Sequence, residues 1–539
     1  MFRALRRWLL VHRLVAHASL AAVLACSACP LVPEGAADAG SDNDTDGGQV
    51  ADAGPDEQPC APRAAGTTSV TEGETIDVMI ACSTGLTDVT LVLGSLPDGV
   101  AVTAEPGAVH LVWPTDLDDA VVLDVPVLVR ERGEVANLHL AVADASLDAA
   151  NVPPLEPLRY TEEYGLPVIF LDHEPAGEVY EPIGVVAGGH AYQGAFSKLR
   201  GASSLGYPKR SFTVRLDQQD RFQLPARGFV DKKKVVLIST FDDNAYVRQR
   251  LAYQLYDRTD AGSAHTQLAA TSAVIYLGGR WFGLYTLADH VDRDLFEESL
   301  GLGDGGNLYK SIDHNANFRR ERFPRGSGDK TFLGEGWELR DEPDLPFGQW
   351  DDLVELVAFT TDADAATFDA QIGTLVSVED VSAWWIFATA VLGEDSYGKN
   401  AYLYKESASA PFRYAPWDFN HSFGQAWETS RTDPATPTDE GWPIDTNQLW
   451  ERLLASPVHG PPLRARFAEA LAGPLSEVEV LALFDDMVAD VEQSARKDQA
   501  AWGAAYAEYY PRADLQDFDG EVAYTRGWIE QRWTYLAAE

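Results

Sequence analysis

The order of the apolar segments constrains the fold of this chain more than any other feature. Short strand-like runs separated by turn residues occupy residues 66–148 and predict a small β-sandwich. Beyond a proline-rich linker, strand-like runs such as LPVIFL and KKVVLIST come first, and helix-like runs such as VSAWWIFATAVL come later. Strands followed by helices are typical of the α+β class. We therefore predict an all-β sandwich followed by a two-lobed α+β domain over residues 155–539, whose cleft suits a nucleotide.

The amino terminus has the pattern of an exported protein. Residues 1–25 combine arginines with a short, interrupted apolar stretch, which predicts a secretory signal rather than a membrane span. The stretch ends in VLAC, which resembles the lipobox of bacterial lipoproteins, so Cys26 is the predicted lipidation site. We expect a cell-envelope protein, periplasmic or on the outer surface, that meets the membrane only through its lipid anchor. The alternative is an ordinary cleaved signal peptide and a secreted protein.

The segment after the leader is predicted to be a tether. Residues 26–65 are dominated by Gly, Asp, Ala and Pro, and such a composition cannot bury enough surface to fold. We interpret it as a disordered acidic linker. Cys60 lies near its end and Cys82 lies in the predicted sandwich. In an exported protein this pair is predicted to form a disulfide, and the alternative is two free, buried thiols.

The charge of the chain limits its partners. Its 83 acidic and 42 basic side chains give a formal charge of −41. A surface of this sign repels nucleic acid and anionic lipid, so we expect no nucleic-acid partner. It favours a basic partner, although a solvated surface that keeps the protein soluble accounts for the same charge.

Two acidic motifs, GEDSYGKNAYLYK and RYAPWDFNHSFG, carry the predicted chemistry. Asp395 stands five residues before Asn400, the spacing of the base and a metal ligand in kinase catalytic loops, and Asp418 precedes Phe419 as a later metal-binding acid does. The runs AYLYK and FRYAP predict two strands joined by a turn, which brings both acids to one cleft. There Asp395 accepts a hydroxyl proton, and Asp418 and Asn400 bind Mg²⁺. The alternative is that all three are turn residues.

The segment RGASSLGYPKR predicts a small turn at which backbone N–H groups approach phosphate. It is not a Walker loop, because the G-x-x-x-x-G-K-[ST] pattern is absent. An ordinary hairpin is the alternative. The predicted nucleotide contacts are side chains in and beside this turn, together with a lysine in NLYKS: Arg200, Ser203, Ser204, Lys209 and Lys310. The sequence leaves open which of the two lysines is the main phosphate contact.

Several segments in order resemble the CotH kinase family of atypical protein kinases. They include KLRGASSLGYPKRSFTVRLD, STFDDNAYVRQRLAYQL, VIYLGGRWFGLYTLADHVDRD, GEDSYGKNAYLYK and APWDFNHSFG. The resemblance implies transfer of phosphate from ATP to protein serine residues with Mg²⁺ or Mn²⁺. It also implies that Asp395 matches the catalytic-loop acid and Asp418 the metal-binding acid, with Asn400 as the second metal ligand by spacing. The sandwich resembles bacterial immunoglobulin- or cadherin-like modules, for which a spacer or protein-contact role is expected.

This chain departs from the family pattern at one point. Relatives commonly read WDFD where this chain reads WDFN, so Asn420 removes a negative charge beside the metal and weakens the case for a second metal ion. Asp289 stands where relatives often carry Glu, and it is expected to bind a metal or pair with a lysine. Structural roles are predicted for Asp243 and Arg248, whereas His290 and His421 are predicted either to be structural or to support the catalytic residues by contacting them. The charged, glycine-rich segment 315–344 is interpreted as a surface insertion, with a substrate loop as the alternative.

Three functions compete at this point. The first is an extracytoplasmic, ATP- and Mg²⁺-dependent kinase that phosphorylates serine residues of a basic protein substrate. The second is a surface adhesion or binding protein on a catalytically retired kinase fold. The third is a metal-dependent phosphohydrolase, for which the chain has no recognisable nucleophile motif. Retention of Asp395, Asn400 and Asp418 favours the first function.

Overall fold

A computed structural model describes most of the chain beyond its amino-terminal segment. The described residues are 59–97, 99–143, 161–259, 265–303, 306–313, 316–319, 332–333, 336–341, 350–396, 399–437, 447–511 and 517–538. The predicted leader, Cys26 and the predicted linker as far as residue 58 lie outside them, as does most of the segment 315–344. Within the described residues, no helix combines the length and the apolar character that crossing a bilayer requires.

Two four-stranded sheets share one hydrophobic core at the amino-terminal end of the described chain. Their strands are β1 (Pro62–Thr67), β2 (Ser69–Thr71), β3 (Thr75–Cys82), β4 (Leu91–Leu93), β5 (Ala101–Glu105), β6 (Ala108–Pro114), β7 (Val121–Val129) and β8 (Glu134–Ala143). The strand orders are β1-β3-β6-β5 and β2-β8-β7-β4. Alternate residues of β3 and β7 are buried, as expected for strands with one face on a core. The likeness of this module to immunoglobulin or cadherin domains stays a prediction.

Cys60 and Cys82 form a disulfide in this module. Their Cα atoms are 4.7 Å apart, and the bond ties the segment before β1 to the end of β3. Both cysteines are buried against the sandwich core, where Trp113 is also buried. The bridge therefore closes one edge of the core that the two sheets share.

A ten-stranded, mostly antiparallel sheet begins the larger part of the structure. Its strands are β9 (Glu162–Glu163), β10 (Leu166–Leu171), β11 (Glu181–Pro182), β12 (Val185–Ala187), β13 (His190–Tyr192), β14 (Phe196–Arg200), β15 (Ser211–Arg215), β18 (Lys234–Ser239), β19 (Ala270–Leu277) and β20 (Arg280–Asp289), with β16 (Phe222–Leu224) and β17 (Phe229–Lys232) as a separate ribbon. The order is β11-β14-β15-β18-β20-β19-β10-β12-β13, and β9 pairs with β10. Neighbouring residues of β18 enter two different cores, because Val236 faces one cluster and Val235 faces the other. Both faces of this sheet are therefore covered.

A second, five-stranded sheet carries the predicted site. Its strands are β21 (Asn307–Ser311), β22 (Phe332–Leu333), β23 (Trp337–Asp341), β24 (Ala401–Lys405) and β25 (Arg413–Pro416), in the order β22-β23-β21-β24-β25. The hairpin predicted from AYLYK and FRYAP is confirmed, since β24 and β25 pair antiparallel.

Nine helices are present in the described residues, and most of them lie in the carboxy-terminal half. They are α1 (Arg248–Arg258), α2 (Arg293–Leu300), α3 (Asp351–Asp362), α4 (Ala365–Leu375), α5 (Val378–Val391), α6 (Gln448–Ala455), α7 (Gly460–Ala472), α8 (Glu477–Tyr509) and α9 (Phe518–Leu536). The Ser377 side chain caps α5 by accepting a hydrogen bond from the backbone of Asp380. Helix α5 is buried on most sides, and its Trp384 stacks on Trp450 of α6 with ring centroids 4.5 Å apart. Sheets followed by helices are consistent with the predicted α+β class.

Candidate active site

The β24–β25 hairpin brings the two acidic motifs to one end of the five-stranded sheet. Asn400 directly precedes β24, and Asp418 follows β25 by two residues. Ala401 lies opposite Pro416, so the start of one strand is beside the end of the other. Asp395 lies in a short 3₁₀ turn that leads into the hairpin. The three residues selected from the sequence as catalytic and metal-binding therefore meet at one place.

Two contacts fix the motifs to each other. The hydroxyl of Ser396 donates a hydrogen bond to the carbonyl oxygen of Asp418 over 3.1 Å. The chain at Gly393 passes so close to Phe419 that a Cβ there would lie 2.6 Å from its ring. Phe419 is fully buried and packs on Phe387 of α5 with ring centroids 4.5 Å apart. The end of α5 and the second motif therefore form one packed unit around the acids.

The carboxylate of Asp395 has partners on both oxygens. Its Oδ2 accepts a hydrogen bond from Nδ2 of Asn400 over 3.1 Å, and Nδ1 of His421 lies 3.8 Å from the same oxygen. Its Oδ1 is 2.8 Å from Nζ of Lys399. Burial opposes ionisation here, but His421 and Lys399 outweigh it and hold the pKa of Asp395 below its ordinary value. Asp395 is therefore an ionised carboxylate at neutral pH, as a base must be.

Two residues of the site have left-handed backbone conformations. The φ angles are 59° at Asn400 and 64° at Asp418, a region that Asn and Asp enter more readily than most other residues. The backbone N–H of Asn400 donates to the carbonyl of Ser311 over 2.9 Å, and that of Asp418 donates to the hydroxyl of Tyr253 over 3.3 Å. Hydrogen bonds to neighbouring elements thus hold both residues in sparsely populated backbone conformations, which occur often at functional sites.

Cations and aromatic rings surround Asp418. The guanidinium of Arg200, at the end of β14, lies 4.7 Å from the ring of Trp417, and the ammonium of Lys310, in β21, lies 5.8 Å from the ring of Tyr402. The two rings contact each other with centroids 6.1 Å apart. Burial raises the pKa of Asp418, while Lys310 and Arg200 counteract part of that effect. Arg200 and Lys310 are therefore the cations that the fold brings to the acidic motifs.

Lys209, the other candidate phosphate lysine, has a different place. It is fully buried, and its Nζ donates to Oδ1 of Asp498 over 2.6 Å and to the carbonyl of Leu284 over 2.7 Å. Its ammonium also lies 4.9 Å from the ring of Tyr285. An ammonium enclosed in this way has no exposed donor for a phosphate. The structure therefore corrects the prediction for Lys209 to a structural ion pair, and Lys310 is the better candidate.

The turn with the two predicted serine contacts packs on the end of α8. Ser203 and Ser204 begin a 3₁₀ turn, after Gly201 at a φ of 133° that only glycine adopts readily. The ring of Tyr207 contacts the ring of Tyr509 at a centroid distance of 5.2 Å. Ser203 is exposed and Ser204 is partly buried. Their contact with a nucleotide stays a prediction.

A buried polar cluster beside Asp395 was missed by the sequence reasoning. Nε2 of His421 lies 3.5 Å from Oδ2 of Asp242, and the same oxygen accepts a hydrogen bond from Nδ2 of Asn420 over 2.6 Å. The sequence predicts a structural or supporting role for His421 but does not identify Asp242 as its partner. The signal for Asp242 is the pair of adjacent acids in STFDDN, Asp242 and Asp243.

Other polar residues near the motifs are structural. Arg248 is fully buried between Asp243 and Glu521, and its Nη2 lies 2.6 Å from Oε1 of Glu521. This network joins the start of α1 to α9 and agrees with the structural role predicted for Asp243 and Arg248. Asp289 pairs with Lys232 at 3.1 Å, which is the lysine pairing that the sequence left open.

The donor set at the end of the hairpin suits a hard divalent cation. Asp418 offers a carboxylate and Asn400 a carboxamide, and Mg²⁺ prefers oxygen ligands of these kinds. Among the described residues, no side chain hydrogen-bonds the Asp418 carboxylate, so its oxygens have no protein donor there. Within the same residues, no group of three or more His, Cys, Asp or Glu side chains is arranged to hold a metal. The residues therefore fit a magnesium ion shared with a ligand, rather than a closed protein site.

A family profile described as CotH kinase protein matches residues 198–536. The chain belongs to the CotH kinase family. The match includes Arg200, both acidic motifs and every helix given above. Membership of the CotH kinase family supports a kinase-like fold and, in general, the use of ATP and a divalent metal. No curated protein matches the chain at a significant level.

Proposed function

We propose that this protein is an ATP- and Mg²⁺-dependent protein kinase that phosphorylates serine residues outside the cytoplasm. Its catalytic domain is two-lobed, with the ten-stranded sheet in one lobe, the five-stranded sheet in the other and the site at the cleft. Mn²⁺ is the alternative metal. Asp395 is the base, Asp418 and Asn400 are the metal ligands, and Arg200 and Lys310 bind the phosphates.

One observation carries this proposal. The hairpin register places Asn400 beside the end of β25, and Asn400 hydrogen-bonds Asp395 over 3.1 Å. A base and two oxygen ligands thus lie together, although Asp395 and Asp418 are separated by a whole hairpin in the chain. Two left-handed backbones and an ionised carboxylate occur here together with a carboxylate that no described side chain hydrogen-bonds, and this combination favours a functional site over ordinary turns.

The residues of the chain divide the chemistry as follows. Arg200 and Lys310 hold the phosphate oxygens of ATP and neutralise their charge. The serine oxygen of the substrate forms a bond to the γ-phosphorus while the bond from that phosphorus to ADP breaks, and the hydroxyl proton passes to Asp395. When bound by Asp418 and Asn400, Mg²⁺ supplies further charge neutralisation on the phosphates.

The location and the substrate belong to the proposal as well. A signal sequence followed by Cys26 supports a lipid-anchored protein of the cell envelope, held away from the membrane by an acidic linker. The charge of −41 supports a basic, serine-containing protein substrate and disfavours nucleic acid.

The test is transfer of radiolabelled γ-phosphate by the purified mature chain, with ATP, Mg²⁺ or Mn²⁺ and a basic serine-rich protein. We expect labelling of serine by the wild type and none by Asp395→Ala or Asp418→Ala. Lys209→Arg keeps the cation of the buried pair and serves as a variant outside the site. Normal labelling by either alanine variant would remove the role given to that residue. No labelling by the wild type, with no ATP binding in calorimetry, would replace the kinase by a surface binding protein.

A further inference from the structure

We propose that His421, held in turn by Asp242, is a positioning residue that fixes the carboxylate of Asp395 through its Oδ2 atom. This inference rests on the proposed kinase function and assigns His421 a part in it. Among the described residues the imidazole lies beside Asp395 and Asp242, and its proposed effect on the reaction is exerted through Asp395.

The imidazole lies between two carboxylates. Nδ1 is 3.8 Å from Oδ2 of Asp395, and Nε2 is 3.5 Å from Oδ2 of Asp242. His421 is only 5% exposed, and neither ring nitrogen has a hydrogen bond to a described residue, so the two contacts are ion-pair distances. Each nitrogen therefore has one acidic neighbour. Two carboxylates on opposite sides of the ring favour the form in which both nitrogens carry a proton.

Asp242 is itself held firmly. Its Oδ2 accepts hydrogen bonds from Asn420 over 2.6 Å and from the hydroxyl of Tyr207 over 3.1 Å. Tyr207 is held by the hydroxyl of Tyr510, which donates to it over 2.7 Å. The second acid of the pair therefore belongs to a hydrogen-bonded chain that begins at the end of α8, and it fixes the imidazole from the side opposite Asp395.

The charges around the imidazole favour its protonated form. Asp242 and Asp395 face it directly, Asp418 lies nearby, and Lys399 pairs with the other oxygen of Asp395. Burial lowers the pKa of His421, but the two carboxylates outweigh it and raise the pKa to about 10. At neutral pH the ring is therefore an imidazolium, and the hold on Asp395 is a charged one.

This arrangement distinguishes the two oxygens of Asp395. Among the described residues, Oδ2 meets His421 and Asn400 from buried positions, whereas Oδ1 meets Lys399, whose side chain is 22% exposed and whose Nζ lies 2.8 Å away. Both oxygens therefore have a partner, and the partners on Oδ2 are the buried ones. Partners that hold a catalytic carboxylate fix its orientation, which is the usual purpose of an orienting group.

The test compares His421→Gln and Asp242→Asn with His190→Gln in the mature full-length chain. His190 pairs with Asp220 at 2.7 Å on the exposed edge strand β13 and is the matched histidine–aspartate control. We expect kcat to fall about 10²-fold in His421→Gln, with the KM for ATP changed less than about twofold, since misplacing a reacting group by about 1 Å has that effect. The control keeps the wild-type kcat.

A double variant separates positioning from a general loss of structure. In Asp395→Asn the base is already absent, so adding His421→Gln is expected to change the residual rate less than about twofold. Independent, multiplicative losses would overturn the proposal. So would a His421→Gln enzyme that raises the KM for ATP and leaves kcat unchanged.

A readout without turnover tests the same contact. In ¹⁵N-histidine NMR of the full-length chain, we expect one buried ring that is still an imidazolium at pH 8, that is absent from His421→Gln, and whose pKa falls in Asp395→Asn. If the ring is neutral and the protein still transfers phosphate, the role proposed for His421 is excluded and the kinase function stands. A charged ring coupled to Asp395 in a protein that transfers no phosphate rejects the kinase and, with it, the role in transfer.

Discussion

Asn420 donates a hydrogen bond from Nδ2 to Oδ2 of Asp242 over 2.6 Å, and the two residues are 178 positions apart in the chain. In this protein an acid at position 420 would bring two carboxylates together in a buried setting, since Asp242 is only 6% exposed. The amide at position 420 therefore suits Asp242, because it donates a hydrogen bond to that carboxylate without adding a second negative charge.

Replacing Asn420 by Asp is expected to destabilise the protein in a pH-dependent way. Two carboxylates this close cannot both ionise without a large penalty, so the pair binds a proton more tightly when folded than when unfolded. The contribution of this pair to the free energy of unfolding is therefore present below the unfolded Asp pKa of about 4, and about 2 kcal/mol of it is lost as pH rises through the folded pKa. Urea unfolding at pH 3.5 and pH 7.5 measures this difference. Asn420→Ala, which removes the donor without adding charge, should show equal losses at both pH values.

Lys209→Met is expected to lower the free energy of unfolding without weakening ATP binding. The substitution leaves Asp498 buried without its partner, and breaking a buried ion pair in this way costs about 3–5 kcal/mol. The measurement is urea unfolding of the full chain, together with calorimetry of ATP binding by the fraction that stays folded.

The matched variants for this prediction are Asp498→Leu combined with Lys209→Met, and Lys310→Met. The double variant removes both charges and should recover most of the lost stability. Lys310→Met should instead lose ATP affinity with a change in stability below about 1 kcal/mol. Loss of ATP affinity in folded Lys209→Met would return that lysine to the nucleotide site.

ATP binding is expected to weaken as pH rises from 7 to 9. Burial lowers the pKa of Lys310 to about 8, with a further contribution from the nearby Arg340. Below pH 8 the group is an ammonium that holds phosphate, and above pH 8 it becomes a neutral amine, so the Kd should rise by up to about tenfold over this interval. Calorimetry at several pH values measures the slope. In Lys310→Arg the side chain stays charged throughout, so the Kd of this variant should not change with pH. An equal slope in this variant would exclude Lys310 as the source of the pH dependence.

Loss of the Cys60–Cys82 disulfide is expected to destabilise the sandwich and to leave phosphate transfer unchanged. The bridge closes a segment with a sequence separation of 22, for which the gain in stability is about 3 kcal/mol. Thermal unfolding of Cys60→Ser/Cys82→Ser, compared with the oxidised wild type, measures it, and the reduced wild type should match the variant. A fall in kcat with no change in stability would contradict this assignment and would connect the sandwich with catalysis.

Much of the site is local in sequence and was predictable. The turn with Asp395, the strand that begins after Asn400 and the strand that ends before Asp418 lie within one short stretch of chain. Hydrophobic runs and turn residues determine such a hairpin. Its antiparallel pairing brings the start of the first strand beside the end of the second. The α+β class was predictable for a similar reason, because strand-like and helix-like runs have different periods.

The choice between Lys209 and Lys310 was decided by tertiary structure. Lys209 meets Asp498 from α8, which lies 289 residues away, and no local pattern records that pairing. The positions of His421 and Asp242 are of the same kind, because each touches the other only after the sheet and the hairpin have packed.

The sequence by itself determined which side chains are able to do the chemistry and where the strands that carry them begin and end. Only the folded chain decided which cations face Asp418, which lysine is enclosed in the core and which acid holds His421. The physical reason is that charge and burial act through space: a buried ion pair depends on the two groups that packing brings within a few ångströms, whatever their separation along the chain.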